Sequence, residues 1–124
     1  MNKKRPINLD LRSLKYPPMA IVSILHRVSG VVIFILLPIV LFMMSRSLNS
    51  EASFTQMENT LTNPGYKLVL WLFAASFIFH TIAGARHMIM DLGYGEELSV
   101  SRRTAVAVIV LSIISTLLLG IWIW

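Results

Sequence analysis

The chain contains no cysteine. Disulfides, thiolate haem ligation, covalent c-type haem attachment and cysteine-bound iron–sulfur clusters are therefore excluded from it. Charge is scarce as well: 14% of residues are Asp, Glu, Lys or Arg, against about 25% in an ordinary soluble domain. Acid is scarcer than base, with 6 Asp and Glu against 11 Lys and Arg. No internal repeat and no low-complexity tract occurs, which counts against a small transporter built on inverted repeats.

What the chain has instead is apolar length, 56% of it hydrophobic. Ile21 to Met44, Leu68 to Met90 and Thr104 to Trp124 each supply 21 to 24 residues. About 20 residues at 1.5 Å rise cover a hydrocarbon core of ~30 Å. The expected fold class is an all-α integral membrane protein. It is a single transmembrane domain over residues 1–124, with a polar segment over 1–20 and helices over about 21–44, 68–90 and 104–124. The first apolar run is too long for a signal-peptide core, begins only near residue 20 and lacks a small-residue cleavage site, so it reads as a retained helix.

Lys3, Lys4, Arg5, Arg12, Lys15 and Arg27 lie up to the start of the first run, and Arg86, Arg102 and Arg103 flank the second connection. Only Arg46 and Lys67 lie at the other face. Nine cations against two predict an up-down-up path with the amino terminus and second connection cytoplasmic and the carboxyl terminus outside. The basic amino terminus reads as this topology signal rather than as a nucleic-acid contact. Pro17 and Pro18 suit the entry to the first helix, and Pro38 predicts a kink within it. The stretch from Ser45 to Gly65 reads as a polar loop ending in an Asn63-Pro64-Gly65 turn. Gly93 and Gly95 read as terminators of the second helix, and Trp122 and Trp124 as outer-interface anchors.

Against this background the ionisable residues inside the runs stand out. His26 and Arg27 open the first run; His80, Arg86 and His87 fall in the second. Such groups cost roughly 2.5–3.5 kcal/mol each on insertion scales, so they face a partner, a cofactor or a cavity. Ser23, Arg27 and Gly30 share one face of the first helix, with His26 beside them. His80, Gly84, His87 and Asp91 form one stripe of the second. The topology brings both stripes to one inner-leaflet site, with His80 about 10 Å deeper than His87 at 1.5 Å per residue.

Two ligands suit that site. A b-type haem wants a neutral imidazole at depth, which His80 supplies, and cations or donors nearer the interface for its propionates, where His26, Arg86 and His87 fall. Gly84, one turn from His80, would let a flat macrocycle approach the backbone. Bis-histidine ligation would need a ligand from another chain, since His26 and His87 lie too shallow to face His80 across the ring. A quinone suits it too: the Ser23 hydroxyl can donate to a carbonyl, and Arg27 can stabilise charge developing on reduction. Each residue taken singly also has a structural reading. His80 could be an interhelical donor, Arg86 and His87 could snorkel to lipid phosphates, Arg27 could be a topology anchor, and Ser23 and Gly84 could mark close helix packing.

The motifs themselves resemble a known family. Arg5-Pro6-Ile7-Asn8-Leu9-Asp10-Leu11, then Ser23-Ile24-Leu25-His26-Arg27-Val28-Ser29-Gly30, then His80-Thr81-Ile82-Ala83-Gly84-Ala85-Arg86-His87-Met88-Ile89-Met90-Asp91 are similar to the cytochrome b membrane-anchor subunit of bacterial succinate dehydrogenase, respiratory complex II. The patterns S-x-x-H-R-x-S-G and H-x-x-x-G-x-R-H-x-x-x-D carry the likeness over residues 5–30 and 80–94, while the outer loop and third helix match in hydropathy alone. The resemblance implies an inner-membrane electron-transfer subunit of the tricarboxylic acid cycle enzyme, partnered by a flavoprotein, an iron–sulfur protein and a second membrane anchor. It implies His80 as an axial ligand of haem b, with the other axial histidine from the partner anchor. It also implies Ser23 and Arg27 at the ubiquinone site, and His26 and His87 against the haem propionates. Two alternatives stand beside it: a haem-free anchor of the fumarate reductase type working with menaquinone, and a structural assembly subunit without redox chemistry.

Overall fold

The computed structural model describes residues 15–124. The basic segment up to Arg12 and the Arg5–Leu11 motif lie outside the described residues. Four helices follow in order: α1 (Pro18–Ser47), α2 (Glu51–Thr60), α3 (Pro64–Asp91) and α4 (Leu98–Ile123). There is no strand among the described residues. Three helices, α1, α3 and α4, are long and apolar enough to cross a membrane. At 30, 28 and 26 residues and 1.5 Å rise, each exceeds a ~30 Å core with room for tilt.

The helix ends follow from local chemistry. Pro17 sits in extended backbone at the N-cap of α1 and Pro18 is its first residue, a position where a missing N–H costs nothing. The helix runs on through Pro38 to Ser47. α3 begins at Pro64, with the Asn63 side chain accepting from the Gly65 N–H at 2.8 Å. The Asn-Pro-Gly triplet is thus a helix start rather than a free turn. At the far end the Gly93 N–H donates to Met90 O (2.8 Å) and the Tyr94 N–H to Ile89 O (3.3 Å), with Gly93 at φ 86°. Those paired bonds around a left-handed glycine close the helix as a Schellman motif.

The stretch expected as an irregular outer loop holds α2. Its N-cap is a reciprocal box: Ser50 Oγ accepts from the Ser53 N–H at 3.1 Å, and the Ser50 N–H donates to Ser53 Oγ at 2.9 Å. Glu51 in the first turn suits the positive end of the helix. Phe54 and Met57 of α2, with Leu61 at its C-cap, face Met43 and Met44 of α1 across a cavity of about 420 Å³.

Three cross-contacts fix the path of the spans. His26, early in α1, meets His80 and His87, late in α3. Arg86, late in α3, bonds Ser101 and Thr104, early in α4. Trp71, early in α3, donates to the Thr116 carbonyl, late in α4, at 3.0 Å. Neighbouring spans are therefore antiparallel, up-down-up. The buried core is small: Val22, Ala83, Ala105 and Val108, flanked by Met19, Phe79, Ile82 and Ile109. Alanines there let the helices approach closely. Most large apolar side chains point outward, Phe34 79% and Ile121 78% exposed, as lipid-facing surfaces do.

Candidate functional site

Two residues of α3 and one residue of α1 build an imidazole column. The His26 ring lies 4.0 Å from that of His80 at an interplanar angle of 13°, and 5.1 Å from that of His87 at 20°. The α1 side chain enters between two α3 side chains that are two turns apart. Gly84 makes the space for it: a Cβ there would stand 3.2 Å from His26 Nε2. The glycine therefore admits an imidazole from α1. Depth along the helix axes had placed His26 well short of His80. The structure corrects this, because a side chain reaches several ångströms off its own Cα level and the two rings meet face to face.

Hydrogen bonds settle the orientation of two of the rings. His80 Nδ1 lies 3.0 Å from the His26 carbonyl oxygen. A carbonyl only accepts, so Nδ1 carries the proton and Nε2 the lone pair. His87 Nδ1 lies 2.7 Å from the Ala83 carbonyl, with the same consequence. Ser29 Oγ donates to the same His26 carbonyl at 2.7 Å and stands 3.0 Å from His80 Nδ1. The rings stack face to face and do not converge their nitrogens. Consistent with that, no group of three metal-ligating side chains occurs among the described residues.

His80, His26, Arg27, Gly30, Val31 and Phe34 line an open groove of about 480 Å³ on the outer side of α1 and α3. Arg27 is exposed there, and Ser23, one turn before it on α1, is half-buried. The structure thus brings Arg27 to the mouth of a groove floored by His80.

Arg86 lies elsewhere. It is buried, and its Nε donates to Thr104 Oγ1 at 3.1 Å and its Nη2 to Ser101 O and Ser101 Oγ, each at 3.0 Å. At about 100° per residue, position 86 is turned well away from the 80–84–87 stripe. The guanidinium expected beside the propionates instead ties α3 to α4. Ser29 is the residue that sequence reasoning passed over. It stood inside the S-x-x-H-R-x-S-G motif without a role, and its spacing of three from His26 was the available signal.

Fold and site together define a multi-pass membrane protein whose histidines gather toward one end of a helical bundle. The family model for the succinate dehydrogenase/fumarate reductase transmembrane subunit matches residues 1–119. The succinate dehydrogenase cytochrome b556 subunit of Coxiella burnetii is 43% identical over 125 residues, spanning all of both chains. That of Rickettsia prowazekii is 31% identical over 95% of this chain and 92% of its own, and that of Rickettsia typhi 30% identical over the same shares. The chain belongs to the succinate dehydrogenase/fumarate reductase transmembrane subunit family, as a cytochrome b556-type anchor subunit of succinate dehydrogenase.

Proposed function

We propose that this subunit binds haem b together with a partner anchor and helps form the ubiquinone-reduction site of complex II, with the flavoprotein and iron–sulfur subunits docked on its cytoplasmic face. The observation that carries this reading is the state of His80: its Nδ1–H is tied to a carbonyl, which leaves the lone pair on Nε2, and the residue lines an open groove. A histidine that binds a metal through one nitrogen almost always donates its other N–H to such an acceptor. The residues present therefore fit a haem. Bound there, it would supply a one-electron carrier.

His80 would hold the haem iron from this chain. His26 does not serve as its opposite number, because its ring lies flat against that of His80, whereas an axial pair points nitrogens at one another across a macrocycle. The second ligand then belongs to the partner anchor. His26 and His87 stand close to His80, where the propionates would lie, with His26 as the donor, since the His87 N–H is tied to the Ala83 carbonyl. Arg86, committed to Ser101 and Thr104, is left out of that role. Arg27 places a cation where charge develops on a quinone oxygen, and Ser23, on the same face one turn away, supplies a hydroxyl donor. The histidine column also favours this reading over a haem-free, menaquinone-linked anchor, which needs no tautomer-fixed imidazole.

In the purified complex, His80→Leu should abolish or alter the reduced b-type optical spectrum while His87→Leu keeps a low-spin haem. An unchanged spectrum in His80→Leu would defeat the ligand assignment. Arg27→Leu should raise the apparent KM for ubiquinone about tenfold or more, the loss of one charge-assisted hydrogen bond of ~1.5–3 kcal/mol, while dye-linked succinate oxidation persists. Equal loss of both activities would make Arg27 an assembly residue.

A further inference from the structure

We infer that Ser29 is a positioning residue for the His80 imidazole, helping to fix the orientation of that ring through its N–H; the inference rests on the reading of His80 as axial ligand. Ser29 is buried within α1. Its hydroxyl proton is committed to the His26 carbonyl at 2.7 Å, so the lone pairs of Oγ are left to face His80 Nδ1 at 3.0 Å. The same Nδ1–H reaches the His26 carbonyl at 3.0 Å. One imidazole N–H is thus shared between two acceptors that are themselves bonded to each other.

The two acceptors do different work. The carbonyl alone suffices to fix the tautomer, because it cannot donate. It leaves the N–H free to swing about that single acceptor. The second acceptor, offset from the first, holds the direction of the N–H. Two further contacts bound the same ring. The His26 imidazole covers one face at 4.0 Å, and the bare Cα of Gly30 leaves room at the edge, where a Cβ would stand 3.2 Å from His80 Cε1. His26, Ser29 and Gly30 all belong to one turn of α1, so a single helical segment cradles the imidazole of another helix. Outer hydrogen bonds of this kind set ligand orientation and basicity.

Removing the hydroxyl should leave Nε2 available and the tautomer intact while loosening the ring plane. The test uses the assembled four-subunit complex in its oxidised state. The low-field electron paramagnetic resonance line of a low-spin ferric haem reports the orientation of its axial imidazole planes. With Ser29→Ala, that line should shift and broaden at an unchanged haem-to-protein ratio. Ser29→Thr keeps the hydroxyl and should restore the wild-type line. A Ser29→Ala line that superimposes on the wild type, or a Ser29→Thr line displaced as far as that of Ser29→Ala, overturns the proposal. Should Ser29→Ala fail to assemble, Ser29→Cys keeps the volume with a poor hydrogen-bonding group and is judged by the same comparison. Failure of the underlying reading looks different: the wild-type low-spin signal would then survive His80→Leu.

Discussion

His26 contributes to the site through three separate parts of one residue. Its carbonyl holds His80 Nδ1, its ring stacks between His80 and His87, and its Nε2 edge occupies the space left by Gly84. Position 84 should therefore tolerate little. Gly84→Ala brings a Cβ within 3.2 Å of the ring, a contact relieved by a few tenths of an ångström of movement. Gly84→Val adds two methyls and should expel the His26 ring from the column, at an overpacking cost of about 1–3 kcal/mol. The measurable outcome is a graded fall in haem per complex, small for alanine and large for valine; equal haem content in both would show that the column is dispensable. Much of this site was legible beforehand, since helical periodicity alone put 80, 84 and 87 on one face and 23, 27 and 30 on another. What periodicity could not tell was which neighbouring helix each face meets; Arg86, assigned to the propionates by its depth alone, is held by Ser101 and Thr104 of α4. Depth along the axis also treated side chains as lying level with their Cα atoms, which hid the insertion of His26.

The helices are held in register by one polar tie at each end of the α3–α4 pair. Arg86 fastens one end, and at the other the Trp71 indole N–H bonds the Thr116 carbonyl while lying over Gly120. A Cβ at Gly120 would stand 2.9 Å from Trp71 Nε1, too close for the indole to stay where its hydrogen bond needs it. Gly120→Ala should therefore cost about 1–3 kcal/mol through displacement of a packed aromatic. Arg86→Met should cost a similar or larger amount, since hydrogen bonds to charged groups contribute ~1.5–3 kcal/mol each. Both variants should lower the thermal midpoint of the detergent-solubilised complex, with the haem spectrum of folded Gly120→Ala unchanged because Trp71 is remote from His80 along α3. A Gly120→Ala midpoint equal to wild type would mean that the indole tie carries no weight. At this scale the three spans were plain in hydropathy. α2 was not, because its Ser, Thr, Asn and Glu content reads as loop. Only the Ser50–Ser53 pair marked its start.

Among the described residues the histidines and most of the cations are sorted toward one end, and the sorting bears on orientation. His26, Arg27, His87, Arg102 and Arg103 sit where α1 and α4 begin and α3 finishes, while α2 and the ends of α1 and α4 lie at the opposite end. There Lys67 Nζ stands 5.7 Å from the Trp124 ring, a cation and an interfacial aromatic together. On the proposed function, the excess of Lys and Arg at the histidine end orients that end toward the cytoplasm, on the side of the iron–sulfur partner. A chain without cysteine makes the orientation directly measurable. Asn59→Cys, in α2, should react with a membrane-impermeant maleimide added to cells whose outer membrane has been made permeable, while Glu96→Cys, between α3 and α4, should react only after the inner membrane is opened. The reverse pattern would put the histidine column at the periplasmic face. That outcome would remove both the proton source and the electron donor from the proposed quinone site, however well its residues were arranged.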